Sequence, residues 1–217
     1  MEDIAFMSAV AEVGFTAAAY SQMPGGISVG FSSLNTNNFV FFLTLAHAVT
    51  GRALLQYRLG RSTIMEKVND HAIRHFLAVL SLGMSYMSLI QSGNWPSLSS
   101  TLLMTIQGVY ILTGIVSAIF TYMPRLFPDA MLSQFLQAHM WFGKVFWWIH
   151  SIQVIYTHYH FGKKAGSLGC WMWCAEGFQT LYHMALICTV ISSFSIHYVL
   201  TNRPPPHVHL KEAAKEA

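Results

Sequence analysis

Five apolar stretches of about 20 residues or more follow one another along the chain, separated by short polar segments. A membrane-spanning helix needs about 20 consecutive apolar residues, so each stretch is long enough to cross a bilayer. They cover Phe39–Leu59, Ala72–Gln91, Leu98–Tyr122, Met131–Tyr156 and Phe178–Leu200. The pattern predicts an all-α fold, a polytopic transmembrane helical bundle of five to six spans that forms a single membrane domain over residues 1–217.

The sixth span depends on the N-terminal region, residues 1–38. Ile4–Tyr20 is apolar, but it is short, rich in alanine and interrupted by Glu12. It can span the membrane, re-enter it or lie on its surface as an amphipathic helix, and these features favour the surface. Gln22–Asn38 is rich in Gly, Ser and Asn and predicts a loop. At the other end, Pro204–Pro206 separate the five transmembrane helices of residues 39–200 from a polar tail, residues 201–217.

Composition agrees with a membrane protein, because 10% of the residues are charged, 53% are hydrophobic and the mean hydropathy is +0.43. A net charge of +3 without a basic run gives no support for a nucleic-acid partner. The chain also lacks a dinucleotide fingerprint, a CxxCH attachment site and a cysteine set for an iron–sulfur cluster. If the chain is redox-active, its electrons must come from other subunits of a membrane complex.

Basic residues predict the orientation. Alternating spans place nine on one face and two, Lys163 and Lys164, on the other, with Lys144 inside a span. The nine are Arg52, Arg58, Arg61, Lys67, Arg74, Arg125, Arg203, Lys211 and Lys215. Since positive residues collect on the inner side, the C-terminus is expected on the cytoplasmic or matrix side.

Four histidines lie on two consecutive apolar stretches: His139, His150, His183 and His197. Spacings of eleven and fourteen residues leave offsets of roughly 20° and 40°, so each pair shares a helix face. Because the two spans must be antiparallel, His139 lies at about the depth of His197, and His150 at about that of His183. Imidazoles arranged at two levels of a bilayer can ligate the iron of one or two b-type haems. The same histidines could instead bridge helices through hydrogen bonds.

A second candidate site lies within the first clear span. His47 sits near the middle of that span, and Gly51 and Arg52 follow one turn later. This pattern suits a haem edge or a quinone, because glycine permits close approach and arginine can pair with an anionic group. Thr44, His47 and Arg52 are therefore the candidate quinone-binding residues. The alternative is an interhelical hydrogen bond with Gly51 as a packing notch.

Thr44–Gly51 resembles the Ser-x-x-His-Arg-x-Thr-Gly motif of the cytochrome b membrane-anchor subunit of succinate dehydrogenase. His47, Thr50 and Gly51 match, Thr44 replaces serine, and Ala48 stands where the family has arginine. Ala72–Phe76 also resembles that family's Gly-Ile-Arg-His-Leu segment. The resemblance implies a quinone-linked subunit of the respiratory chain in the mitochondrial inner membrane or a bacterial plasma membrane.

The sequence thus predicts a membrane subunit of a respiratory electron-transfer complex that binds haem b and a quinone and contacts other subunits and membrane lipids. Two alternatives stay open. One is a non-catalytic accessory subunit without a cofactor, and the other is an antenna protein whose histidines coordinate chlorophyll.

The predicted orientation can be tested with a tag placed after Ala217. In sealed vesicles whose outer face is the outer face of the native membrane, the tag should resist added protease, because the positive residues hold the C-terminus inside. A tag at Lys163 should be cut under the same conditions. Cleavage of the C-terminal tag in intact vesicles would overturn the orientation.

Overall fold

The computed structural model describes residues 2–21, 36–59, 63–91, 98–123, 129–165 and 172–203. These ranges form six α-helices and contain no strand, which confirms the predicted all-α class. The helices are α1 (Glu2–Ser21), α2 (Thr36–Leu59), α3 (Ile64–Gln91), α4 (Leu98–Tyr122), α5 (Asp129–Ala165) and α6 (Met172–Asn202). Most of the predicted loop Gln22–Asn38 and the tail from Pro204 onwards lie outside the described residues.

The predicted stretches differ from the helices mainly where a helix end is polar. Helix α3 begins at Ile64, eight residues before the apolar stretch that marked it. A capping box explains the earlier start: the Thr63 amide donates to Glu66 Oε2 over 2.9 Å, and the Glu66 amide lies 3.4 Å from Thr63 Oγ1. Helix α5 likewise continues to Ala165, well beyond its apolar part.

Four helices of the described residues are long and apolar enough to cross a membrane. They are Glu2–Ser21, Asn38–Leu59, Glu66–Ile90 and Gln179–Asn202, and a shorter apolar segment covers Thr101–Ser117. The chain is therefore an integral membrane protein. The total of five to six spans stays a prediction, because α4 and α5 are not among these four.

The chain divides into two compact units, residues 1–94 with 151–217 and residues 95–150. In the first unit α2 packs against α3, and α1 packs against α6 and α2. Ala5, Ala9 and Ala19 line the buried side of α1. Such small residues let helix backbones approach closely, which is the usual mode of helix association in membranes. This packing favours the spanning alternative for α1 over a helix on the membrane surface.

The second unit contains α4 and the first part of α5. On each of the two helices, a glycine lies against a side-chain ring of the other helix. A Cβ added at Gly114 of α4 would lie 3.5 Å from the His139 ring, and one added at Gly143 of α5 would lie 3.5 Å from the Tyr110 ring. The two helices are thus fitted together at two points.

The close packing of α1 can be tested by enlarging Ala9, which is 5% exposed. Ala9→Leu should destabilise the detergent-solubilised protein by about 1–3 kcal/mol, because overpacking forces neighbouring side chains out of place. The midpoint of thermal unfolding measures the effect. Val10→Leu, at a neighbouring position that is 53% exposed, is the matched control and should change the midpoint little. Equal midpoints for both variants would show that α1 does not pack as described.

Candidate functional site

Helix α1 carries an acidic side chain into the interior of the first unit. Its buried residues recur every three or four positions: Ala5, Ala9, Glu12, Thr16, Ala19 and Tyr20. Glu12 lies on this stripe and is fully buried. The helical period therefore directs its carboxylate towards α2 and α6.

Glu12 is paired with His47 of α2. The distance from Glu12 Oε1 to His47 Nδ1 is 2.8 Å, and both side chains have no exposed surface. Burying a carboxylate away from water is costly unless it is paired and hydrogen-bonded. The Glu12–His47 contact supplies this partner, and it connects α1 to α2 in the interior.

Serine hydroxyls from two further helices complete the group. Ser151 Oγ of α5 lies 3.0 Å from His47 Nε2, and Ser193 Oγ of α6 lies 3.4 Å from the same nitrogen. Ser192 Oγ of α6 lies 3.2 Å from Glu12 Oε2 and 3.0 Å from the Thr189 carbonyl oxygen, so its one hydrogen is shared between two acceptors. We call these residues the Glu12 cluster: Glu12, His47, Ser151, Ser192 and Ser193. It joins four helices through polar side chains.

The cluster can accommodate two protonation states of His47. The Ser193 hydroxyl donates to the Thr189 carbonyl over 2.6 Å, so towards His47 Nε2 its oxygen can act as an acceptor for an N–H. The Ser151 hydroxyl can instead donate to an unprotonated Nε2. Nε2 of His47 therefore has a hydrogen-bond partner both with and without a proton.

The three predicted quinone residues do not lie together. Thr44 is buried one turn from His47 on α2, and its Oγ1 lies 3.2 Å from Nε2 of His158 on α5. Arg52 follows His47 by five residues, about 140° around the helix. Its guanidinium lies over the ring of Phe6 on α1, 4.7 Å from the centroid. The structure groups Thr44 with His47 and places Arg52 on another face.

The predicted haem histidines belong to different units. His139 and His150 lie in the second unit, whereas His183 and His197 lie half-buried on α6 in the first. His197 Nε2 is 3.5 Å from Thr201 Oγ1, one turn further along α6. Among the residues the structure describes, no group of three or more His, Cys, Asp or Glu could hold a metal ion. A haem iron needs only two histidines, so the pairs His139–His197 and His150–His183 stay predictions.

The surroundings of His139 and His150 are compatible with ligation. His139 Nδ1 lies 3.3 Å from Thr113 Oγ1 of α4, the kind of partner that orients a ligating imidazole. Four rings stack almost in parallel in the order His139, Tyr110, Phe146 and His150. The centroid distances are 5.4, 4.2 and 5.5 Å, and the interplanar angles are 10°, 8° and 8°. The two imidazole planes are held by this stack.

Several residues of the site were not predicted from the sequence: Glu12 as a partner of His47, the serines of the cluster, and His158. One signal for Glu12 was present, because an acidic residue within an apolar stretch is costly and usually functional. Serines carried no such signal, since they are common between membrane helices. The CxxxC spacing of Cys170 and Cys174 is by itself a weak signal for a metal site, and their side chains lie outside the described part of the chain.

Comparison with known proteins identifies no relative of the chain. No protein-family model matches the chain, and neither the curated proteins nor the solved structures contain a significant match. The likeness of Thr44–Gly51 to the succinate dehydrogenase subunit thus remains a resemblance between short motifs. The function has to be inferred from the residues of this chain, above all from the Glu12 cluster.

Proposed function

We propose that the chain is a membrane subunit of a respiratory electron-transfer complex, and that the Glu12 cluster is the proton-exchanging part of a quinone-linked site. The observation that carries this proposal is the fully buried Glu12–His47 pair at 2.8 Å inside a bundle of apolar helices. Reduction of a quinone to a quinol consumes two protons as well as two electrons. A quinone site within a membrane therefore needs protonatable side chains.

The cost of the pair supports a functional role. Replacing a buried ion pair by well-packed apolar residues is often neutral or stabilising, so stability alone does not require one here. Ionisable residues at membrane depth usually mark proton or substrate pathways. His47 also lies within the motif that resembles the succinate dehydrogenase anchor subunit.

The proposal includes most of the remaining predicted residues. Thr44 and His47 would contact the quinone, whereas Arg52 lies on another face of α2, over the Phe6 ring. One or two haems b would be ligated by His139, His150, His183 and His197. A haem there would supply one-electron transfer between a partner subunit and the quinone. The complex would lie in a mitochondrial inner or bacterial plasma membrane, with five to six spans and the C-terminus on the matrix or cytoplasmic side.

A non-catalytic accessory subunit is the second candidate, and one observation favours it. Both ring nitrogens of His47 contact side chains of the chain itself, and these contacts join four helices. Interhelical hydrogen bonds of this kind are worth about 0.6–2 kcal/mol each in membranes. In this case the Glu12 cluster would hold helices together and exchange no proton.

Substitution of Glu12 distinguishes the quinone-linked role from the non-catalytic accessory role. Glu12→Gln keeps a hydrogen-bond acceptor for His47 and removes the exchangeable proton, so decylubiquinone reduction should fall on the order of 100-fold. The assay uses the complex purified through a tag on this chain, with succinate as the donor that the resemblance implies. His47→Ala should also impair turnover; because it leaves the buried Glu12 without its partner at Oε1, turnover is compared only for complex that assembles.

Glu66→Gln is the matched control, because Glu66 is exposed and glutamine also serves in a capping box. It should leave turnover unchanged. Normal turnover in Glu12→Gln and His47→Ala, in a fully assembled complex, would reject the quinone-linked role and favour the accessory subunit.

The haem part of the proposal has a spectroscopic test. The reduced complex should show a Soret band with sharp α and β bands. Because an imidazole ligand bonds the iron directly, His139→Ala and His197→Ala should remove the same spectral component and spare the one that depends on His150 and His183. Chlorophyll bands would identify an antenna protein. A spectrum without visible bands would leave no haem function for these histidines.

A further inference from the structure

His158 of α5 is a fully buried histidine that the Glu12 cluster does not include. Its Nε2 lies 3.2 Å from Oγ1 of Thr44, and Thr44 is one turn from His47 on α2. Its ring packs near Tyr182 of α6, with the centroids 5.9 Å apart. All these residues belong to the first unit.

The hydrogen bonds of Thr44 determine the tautomer of His158. The Thr44 hydroxyl donates its hydrogen to the Val40 carbonyl oxygen over 2.8 Å. Towards His158 the Thr44 oxygen must then accept, and the hydrogen between them belongs to Nε2. In a neutral imidazole with its proton on Nε2, Nδ1 is a bare acceptor.

That acceptor has no partner in the part of the chain that the structure describes. His158 Nδ1 is buried and makes no hydrogen bond there. Buried polar atoms of proteins are nearly always hydrogen-bonded to protein, water or a ligand. The missing partner must carry a donor hydrogen, because two acceptors cannot bond each other.

We propose that His158 is a ligand-binding residue whose Nδ1 accepts a hydrogen bond from a hydroxyl group of a quinol headgroup. This inference rests on the proposed function and adds to it the reduced form of the substrate as the form recognised. A quinol hydroxyl can donate to a bare nitrogen, whereas the carbonyl oxygens of a quinone can only accept.

Two further observations fit this ligand. Tyr182, whose ring packs near His158, also faces the ring of Phe161 with the centroids 6.2 Å apart, and aromatic surfaces suit the flat headgroup. Thr44 connects His158 to the helix face that carries His47. A headgroup at His158 would therefore lie one helical turn from the proton-exchanging pair.

Two variants of His158 separate ligand binding from packing. His158→Gln places an amide near the position of Nε2, where it can still contact Thr44, and it removes the acceptor at Nδ1. His158→Asn places an amide oxygen near Nδ1 and keeps that acceptor. His160→Gln, on the exposed side of the same helix, is the matched control.

Binding is measured by anaerobic titration of the complex in nanodiscs with decylubiquinol and, separately, with decylubiquinone. Loss of one hydrogen bond should raise the Kd of decylubiquinol about five-fold in His158→Gln. The Kd of decylubiquinone should change less than about two-fold, because the quinone makes no such bond. His158→Asn and His160→Gln should bind both compounds like the wild type.

The outcomes distinguish the two proposals. A wild-type complex that binds neither compound refutes the proposed function, and the inference with it. A wild-type complex that binds both, with decylubiquinol affinity unchanged in His158→Gln, refutes only the inference and assigns Nδ1 to a water molecule. Should His158→Gln not assemble, solid-state NMR of the ¹⁵N-histidine-labelled wild type decides. The His158 Nδ1 resonance must then shift with decylubiquinol and not with decylubiquinone.

Discussion

The contact between Glu12 and His47 is the interaction on which the first unit depends. A carboxylate without solvent access needs a donor on each oxygen. Here His47 Nδ1 contacts Oε1, and the Ser192 hydroxyl, shared with the Thr189 carbonyl oxygen, contacts Oε2. Since these partners lie on α2 and α6, a rotation or shift of α1 would leave a buried carboxyl group without its hydrogen-bond partners. The position of α1 is therefore determined by one acidic residue as much as by its small apolar ones.

The same pair determines what the interior can do chemically. His47 contacts a carboxylate through one nitrogen and hydroxyls through the other, and hydroxyls can serve as donors or acceptors. Nε2 of His47 therefore has a hydrogen-bond partner whether or not it carries a proton. Thr44 and His158 extend the polar contacts along α2 and α5. The first unit thus contains a line of protonatable and hydroxyl side chains within an apolar surrounding.

Much of the fold could be predicted from the sequence, because long apolar runs have few alternatives to membrane helices. Helix α4 has the predicted bounds, Leu98–Tyr122. The start of α3 was missed, since its first turns are polar and its capping box lies outside the apolar run. Such local signals show where a helix begins and not which helix it contacts.

The candidate site was predictable only in part for the same reason. Thr44 and His47 stood out through their motif, but no local pattern links residue 12 to residues 47 and 192. The haem pairs were proposed from phase and depth, which describe single helices. His139 in fact contacts Thr113 and Tyr110 of α4, and nothing along α5 itself indicated that neighbour. Which helices pack against one another depends on tertiary contacts that the pattern along a single helix does not show.

The reciprocal fit of α4 and α5 has a geometric consequence. A single ring seated against a glycine would leave two helices free to pivot about that contact. There are two contacts in opposite directions: His139 of α5 lies against Gly114 of α4, and Tyr110 of α4 lies against Gly143 of α5. Together they prevent this rotation and fix how far one helix is shifted along the other. Alanine at either glycine would still meet the opposing ring at an ordinary van der Waals distance. A longer side chain at either position would push the helices apart, so these two glycines set the separation of α4 and α5 beside the ring stack that carries both imidazoles.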